Sequence, residues 1–252
     1  MSNITEQLAA LAAEQREELL ERLLREKAQP KPRRFALSFA QQRLWVLNQM
    51  DGSSPAYNVP AALWLRGRLD VQAFERSFGE VIRRHESLRA TFEVNEETGE
   101  PEQLVHSWKP FHLEVLNLTL VPEAEREQAA RRLANEEAQQ PFDLANGPLL
   151  RARLLKIATA EHVLLLTLHH IVSDMWSTGI LTRELITLYE AYSQGQESTL
   201  PELPLQYADF AHWQRTRMTG GILERQLAYW LEQLQGPLPV LELPTRGPRP
   251  ST

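Results

Sequence analysis

The sequence contains no cysteine. Disulfide frameworks, thiolate metal sites and thiol nucleophiles are therefore excluded for this chain in any compartment, and sulfur chemistry would have to arrive from outside it. Also missing is an uninterrupted run of roughly eighteen apolar residues, and the N-terminus has no apolar stretch of the signal-peptide kind. Neither membrane spanning nor export is indicated, so a soluble cytoplasmic chain is expected. The sequence has no G-x-G-x-x-G and no G-x-x-x-x-G-K-[ST], which removes the common nucleotide-phosphate cradles. Basic excess is lacking too. With 27 Lys and Arg against 33 Asp and Glu, the net charge is -6, a poor surface for a phosphate backbone, so nucleic acid is not an expected partner. No internal repeat is visible.

What is present is ordinary globular material: 252 residues, 42% hydrophobic and 24% charged, enough for one large domain or two small ones. Residues 1 to 28 read as an amphipathic helix. Asn3 and Glu6 form a capping-box pair, Ile4, Leu8, Leu11, Leu19 and Leu23 line one face, and Glu18 faces Arg22. Pro30 and Pro32 interrupt it, which makes residues 1–33 a separable arm, either a solvated linker or a docking element.

From Ser38 onward, helices and strands alternate. The patterns predict a helix at 39 to 50, a strand at 59 to 69 and a helix at 71 to 87 capped by Asp70. On that last helix Phe74, Phe78, Val81 and His85 share a face, so His85 is expected to be a packed histidine rather than a ligand. Strands are expected at 89 to 94, 103 to 108 and 112 to 118, with Gly99 in a hairpin-like connection, followed by a charged helix from Pro122 to 139. Two further strands, 149 to 157 and 163 to 170, flank a short connection, and helices near 176 to 194, 206 to 218 and 222 to 235 complete the pattern. This mixture indicates an α+β fold of mixed α/β layers rather than a doubly wound parallel sheet. Residues 237–252 are proline-rich and read as a connector.

The apolar strand that starts near Val163 ends in His169, His170, Ile171, Val172, Ser173 and Asp174. Strand alternation sends the two imidazoles to opposite faces, one inward and one toward whatever opens at the strand end. Either can serve a purely structural hydrogen bond, and Asp174 fits both an N-cap and a chemical role. Diverging neighbours argue against a His169, His170 and Asp174 metal site. Ser173 lacks the elbow of a serine nucleophile and shares a tight turn with its supposed base. The remaining reading is a base or orienting group beside a helix N-terminus whose N–H groups favour charge developing on an oxygen, as acyl transfer requires.

His169-His170-Ile171-Val172-Ser173-Asp174 resembles the HHxxxDG signature of condensation domains in nonribosomal peptide synthetases. Ser38-Phe39-Ala40-Gln41-Gln42-Arg43-Leu44-Trp45 is similar to that family's first motif, and Arg84-His85-Glu86-Ser87-Leu88-Arg89-Ala90-Thr91-Phe92 to its second. Tyr207-Ala208-Asp209-Phe210-Ala211-His212-Trp213 resembles the fourth, and Leu241 through Pro250 the mid-domain crossover. The motif style is nearest to domains that join two L-amino acids.

The resemblance implies a chloramphenicol acetyltransferase-like lobe with a mixed sheet flanked by helices, spanning residues 34–236. It implies peptide-bond formation between donor and acceptor aminoacyl thioesters carried on the 4'-phosphopantetheine of carrier proteins, with no cofactor held by this chain itself. The partners implied are donor and acceptor peptidyl carrier proteins, a C-terminal lobe and, through the N-terminal helix, an upstream synthetase chain. His170 would be the catalytic side chain. His169 and Asp174 would shape the loop, Asp174 pairing with an arginine of the second lobe. Met175 stands where the family usually has glycine, and a methionine there restricts both positive φ and close approach of a pantetheine arm. Two other readings stay open: a non-catalytic lobe that docks carrier proteins, and a freestanding acyltransferase using coenzyme A. On the resemblance the chain is an N-terminal lobe only, excised or naturally truncated, and is expected to be inactive in isolation.

Overall fold

The computed structural model describes residues 31–51 and 54–239. The arm helix at 1 to 28 with its Asn3 cap, and the crossover-like segment from Leu241, lie outside the described residues. Those described up to His212 form one compact unit, and those from Trp213 a second.

The first unit holds two sheets. The smaller is antiparallel, in the order β1 (Arg33–Ala36), β4 (Pro101–Val105), β3 (Ala90–Val94). β1 escapes sequence reading because Arg33 and Arg34 look like linker residues. On an exposed edge Arg33 instead pairs with Glu86 of the turn before β3, and Arg34 makes cross-strand ion pairs, 2.9 Å from Glu93 and 3.1 Å from Glu102. β3 and β4 are joined through Asn95, whose side chain accepts from the Glu97 and Thr98 N–H groups.

The larger sheet runs β2 (Asn58–Arg66), β7 (Glu161–His169), β6 (Leu150–Ala158), β5 (Glu114–Asn117). β5 and β6 are parallel and the other neighbours antiparallel. β7 is central, buried on both faces, and so reads as a near-continuous apolar run. Leu164 and Leu168 pack with Phe74 and Phe78 of α2 (Val71–Arg84) and Leu188 of α4 (Met175–Ser193). Val163 and Leu165 pack on the other face with Ala130 of α3 (Glu123–Gln139). Each such fully buried leucine stabilises by roughly 2 kcal/mol, which fixes the register and hence where the strand end emerges.

α1 (Phe39–Asp51) starts at Ser38, whose N–H donates to Gln41 Oε1 while its Oγ accepts from the Gln41 N–H, at 2.9 and 3.1 Å. These reciprocal bonds form a capping box. α5 (Tyr207–Arg217) follows α4. The second unit holds α6 (Gly221–Gln233), whose Leu223, Leu227 and Trp230 are exposed. Among the described residues no helix is long and apolar enough to cross a membrane.

Candidate functional site

The end of β7 does to the two histidines what alternation predicts. His169 is 1% exposed. Its ring meets Phe142 edge-on with centroids 5.9 Å apart and lies 6.4 Å from Tyr57. Nδ1 accepts from the Ile171 N–H at 3.1 Å, so a neutral ring carries its proton on Nε2, which is buried without a partner among the described residues. Burial, and secondarily the neighbouring His170, pushes its pKa down to about 4. His169 is thus a neutral packing residue that anchors the turn.

His170 is exposed and lines a cleft of about 300 Å³. Its N–H donates to the Tyr57 carbonyl at 2.8 Å, which fixes the backbone. Ring Nδ1 lies 2.6 Å from the Ser173 carbonyl oxygen. A carbonyl only accepts, so Nδ1 is the protonated nitrogen and Nε2 keeps its lone pair. That is the form of a general base with its tautomer set by the protein.

Asp174 caps α4. Its carboxylate accepts from the Ser177 N–H at 2.7 Å and from Ser177 Oγ at 2.8 Å, while Ser177 Oγ also sits 2.7 Å from the Asp174 N–H. The Ser177 backbone bond, then its hydroxyl, hold the carboxyl below its usual pKa. The cap has a cost for the oxyanion idea, because the Ser177 N–H is committed to Asp174 and is not free for a ligand oxygen. Met175 opens α4 in helical backbone, so positive φ is not required there, and at 90% exposure its side chain points to solvent while Asp174 and Ser177 line the cleft. Ser173 Oγ is buried without a partner among the described residues, so nothing activates it as a nucleophile.

The opposite wall departs from the expected helix at 71 to 87 at one end. α2 ends at Arg84, and His85 is its C-cap in extended backbone (φ -98°, ψ 100°), not part of its buried face. Arg84, with its side chain 2% exposed, occupies the buried position instead. Its guanidinium grips Glu184 of α4 through Nε at 3.0 Å and Nη2 at 3.3 Å. Such a buried cation demands a partner, and α4 supplies it. His85 Nε2 reaches the same carboxylate at 2.9 Å, which brings the ring to the cleft beside Ser87. Burial pushes the Glu184 carboxyl up, but hydrogen bonds from Arg84 and His85 outweigh it and leave the pKa below the ordinary value.

The other motifs close the frame. Ser38 Oγ and Tyr207 Oη lie 2.9 Å apart, and Gln206 Nε2 donates to the Arg84 carbonyl while its Oε1 accepts from the Glu86 N–H. Arg43 of α1 also lines the cleft. Sequence reasoning missed Arg43, His85, Ser87 and Gln206 as cleft residues. The one signal available was that all four fall within or directly beside the family-like motifs.

The condensation-domain profile matches residues 31–252. The chain is 51% identical over 222 residues to a linear gramicidin synthase protein of Brevibacillus parabrevis, an alignment that covers 88% of this chain and 3% of that protein. It is 41% identical to phosphinothricin tripeptide synthetase PhsC of Streptomyces viridochromogenes, covering 100% of this chain and 24% of the relative. Among solved structures, it is similar to the X-domain from teicoplanin biosynthesis (TM-score 0.71, 32% identity, 88% of this chain and 48% of that one), which is also known in complex with OxyB. The fold also matches the starter condensation domain of rhizomide synthetase RzmA at a TM-score of 0.72, 24% identity and coverage of 81% and 48%. The chain thus spans about half of each solved neighbour and far less of the synthetases. With the profile, the synthetase relatives and the lobe architecture in agreement, the chain belongs to the condensation-domain family of nonribosomal peptide synthetases.

Proposed function

We propose that this chain supplies one half of a condensation active site in which His170 assists amide formation between donor and acceptor aminoacyl thioesters on carrier proteins, with two L-amino acids as the substrates. The observation that carries the reading is the His170 ring, whose Nδ1–H is committed to the Ser173 carbonyl and whose Nε2 lone pair is left for the cleft. The acceptor nitrogen bonds the donor carbonyl and the C–S bond breaks. Nε2 takes the proton lost from nitrogen and returns it to the departing sulfur. Holding both phosphopantetheine arms in line contributes more than this proton transfer, since effective molarities dominate such reactions. On this reading residues 34–236 are the first lobe, Asp174 holds the loop, and the second lobe, the carrier proteins and a cytoplasmic location complete the setting.

The test is His170→Gln in the full synthetase protein that contains this chain, assayed for dipeptidyl product. Product formation is expected to fall by about 10²- to 10⁴-fold with the thermal midpoint unchanged. Wild-type yield would overturn the reading. A docking role without turnover is the second reading, and the likeness to an X-domain known in complex with OxyB favours it. In that case the wild-type protein makes no amide yet retains carrier proteins on a column. Transfer from acetyl-coenzyme A by the isolated chain would point to a freestanding acyltransferase instead.

A further inference from the structure

Two protons leave the incoming nitrogen when an ammonium group becomes an amide, and His170 accounts for one of them. The ammonium first loses a proton to give the free amine. The amine nitrogen then bonds the thioester carbonyl, the C–S bond breaks, a second proton leaves nitrogen, and the sulfur is protonated. In balance, ammonium plus thioester give amide, thiol and one proton to solvent. His170 Nε2 serves the transfer from nitrogen to sulfur, so the first proton needs another acceptor.

The cleft holds a second imidazole. His85 lines it together with His170. Its Nε2 is 2.9 Å from Glu184 Oε2, and a carboxylate accepts only, so Nε2 bears the proton and Nδ1 has the lone pair in the neutral ring. Nδ1 has no hydrogen-bond partner among the described residues. The carboxylate that orients the ring is itself clamped by buried Arg84. An anchored carboxylate, an imidazole and an open ring nitrogen form the usual support for a base. The charged groups around His85 are Arg84 from α2, Glu184 from α4, Glu86 and Arg89 from the next turn with Arg33 of β1 on Glu86, and Arg43, His170 and Asp174 along the cleft.

We propose that His85 is the second proton acceptor of the cleft: its Nδ1 takes the first proton from the acceptor ammonium and releases it to solvent, which delivers a free amine to His170. The inference rests on the amide-forming reading of His170.

His85→Gln in the full synthetase protein tests it. The Gln side-chain amide can replace Nε2 on Glu184, while the acceptor at the Nδ1 position is lost. An α-amine with a pKa near 8 is only about 3% free at pH 6.5. The expected loss in amide-forming rate is therefore about thirty-fold at pH 6.5 and less than about threefold at pH 9, where the amine arrives neutral. An equal fractional loss at both pH values would assign His85 a purely structural role and overturn the proposal, as would no loss at either. His170→Gln in the same assay separates the two claims. If it is inactive while His85→Gln shows no pH-dependent loss, only the His85 proposal falls. If His170→Gln is fully active, the amide-forming reading falls instead. Should the Gln variant not fold, His85→Ala with imidazole in the assay reads the same point: rescue at pH 6.5 supports the proposal and failure of a folded variant to be rescued overturns it.

Discussion

The two polar walls of the cleft are built on opposite principles. On one, Arg84 and Glu184 have side chains 2% and 13% exposed and meet across 100 residues of sequence. On the other, His170 and Asp174 are exposed, and the ring and the carboxylate are held by partners three residues away. The first wall is rigid because a buried charge cannot be left alone, so it exists only when α2 and α4 dock. The second is local, cheap to form and free to face a ligand. The difference teaches that one wall depends on the docking of two helices while the other is set by bonds within a single turn.

Perturbing the frame should have the largest effect on stability. Arg84→Ala leaves Glu184 with His85 as its remaining partner and is expected to lower stability by about 3–5 kcal/mol in denaturant unfolding. Replacing both members of the pair with Met and Leu should recover most of that loss. A single substitution costing under about 1 kcal/mol would erase the contrast between the walls.

The pH dependence sharpens the contrast from beneath the loop. His169 has its folded pKa lowered to about 4 against an unfolded value near 6.5. The folded protein therefore keeps the ring neutral while the unfolded chain takes up a proton as the pH falls through 6.5. The contribution is complete above about pH 6.5, declines toward pH 4 and changes no further below it, a loss of roughly 3 kcal/mol across that window. His169→Asn should flatten this part of the stability profile, and an unchanged slope would show that the ring does not titrate this way.

The smallest effect belongs to the loop wall itself. Asp174→Ala removes the cap of α4 and should cost about 1 kcal/mol, visible as a midpoint shift of a few degrees and faster amide exchange at Ser177. A loss of about 3 kcal/mol or more would mean that the carboxylate is part of the buried frame and not a local device.

These differences track what could be read beforehand. The Asp174 cap, the divergence of His169 from His170, and the central apolar strand β7 all follow from spacings within a few residues, and the structure has them where the pattern put them. His85 is the packed, hydrogen-bonded histidine the pattern suggested, but the helix ends at Arg84 and not at 87, because periodicity does not reveal where a helix stops. β1 failed because its charges find their partners only on segments distant in sequence. The φ half of the Met175 expectation depended on where the helix begins: a first-turn helical residue needs no positive φ, which shows only in the backbone.

The sequence by itself determined the mixed α/β character, the absence of thiol chemistry, the capped helix after β7 and the divergence of the two histidines, since each depends on residue type and short-range geometry. Tertiary structure alone decided that α2 and α4 share a buried ion pair, that Ser38 meets Tyr207, and that His85 opens onto the same cleft as His170. The physical reason is that a buried charge or hydroxyl is satisfied by whichever group packing brings near. Packing is set by the apolar faces of the whole sheet and its helices and not by any local pattern.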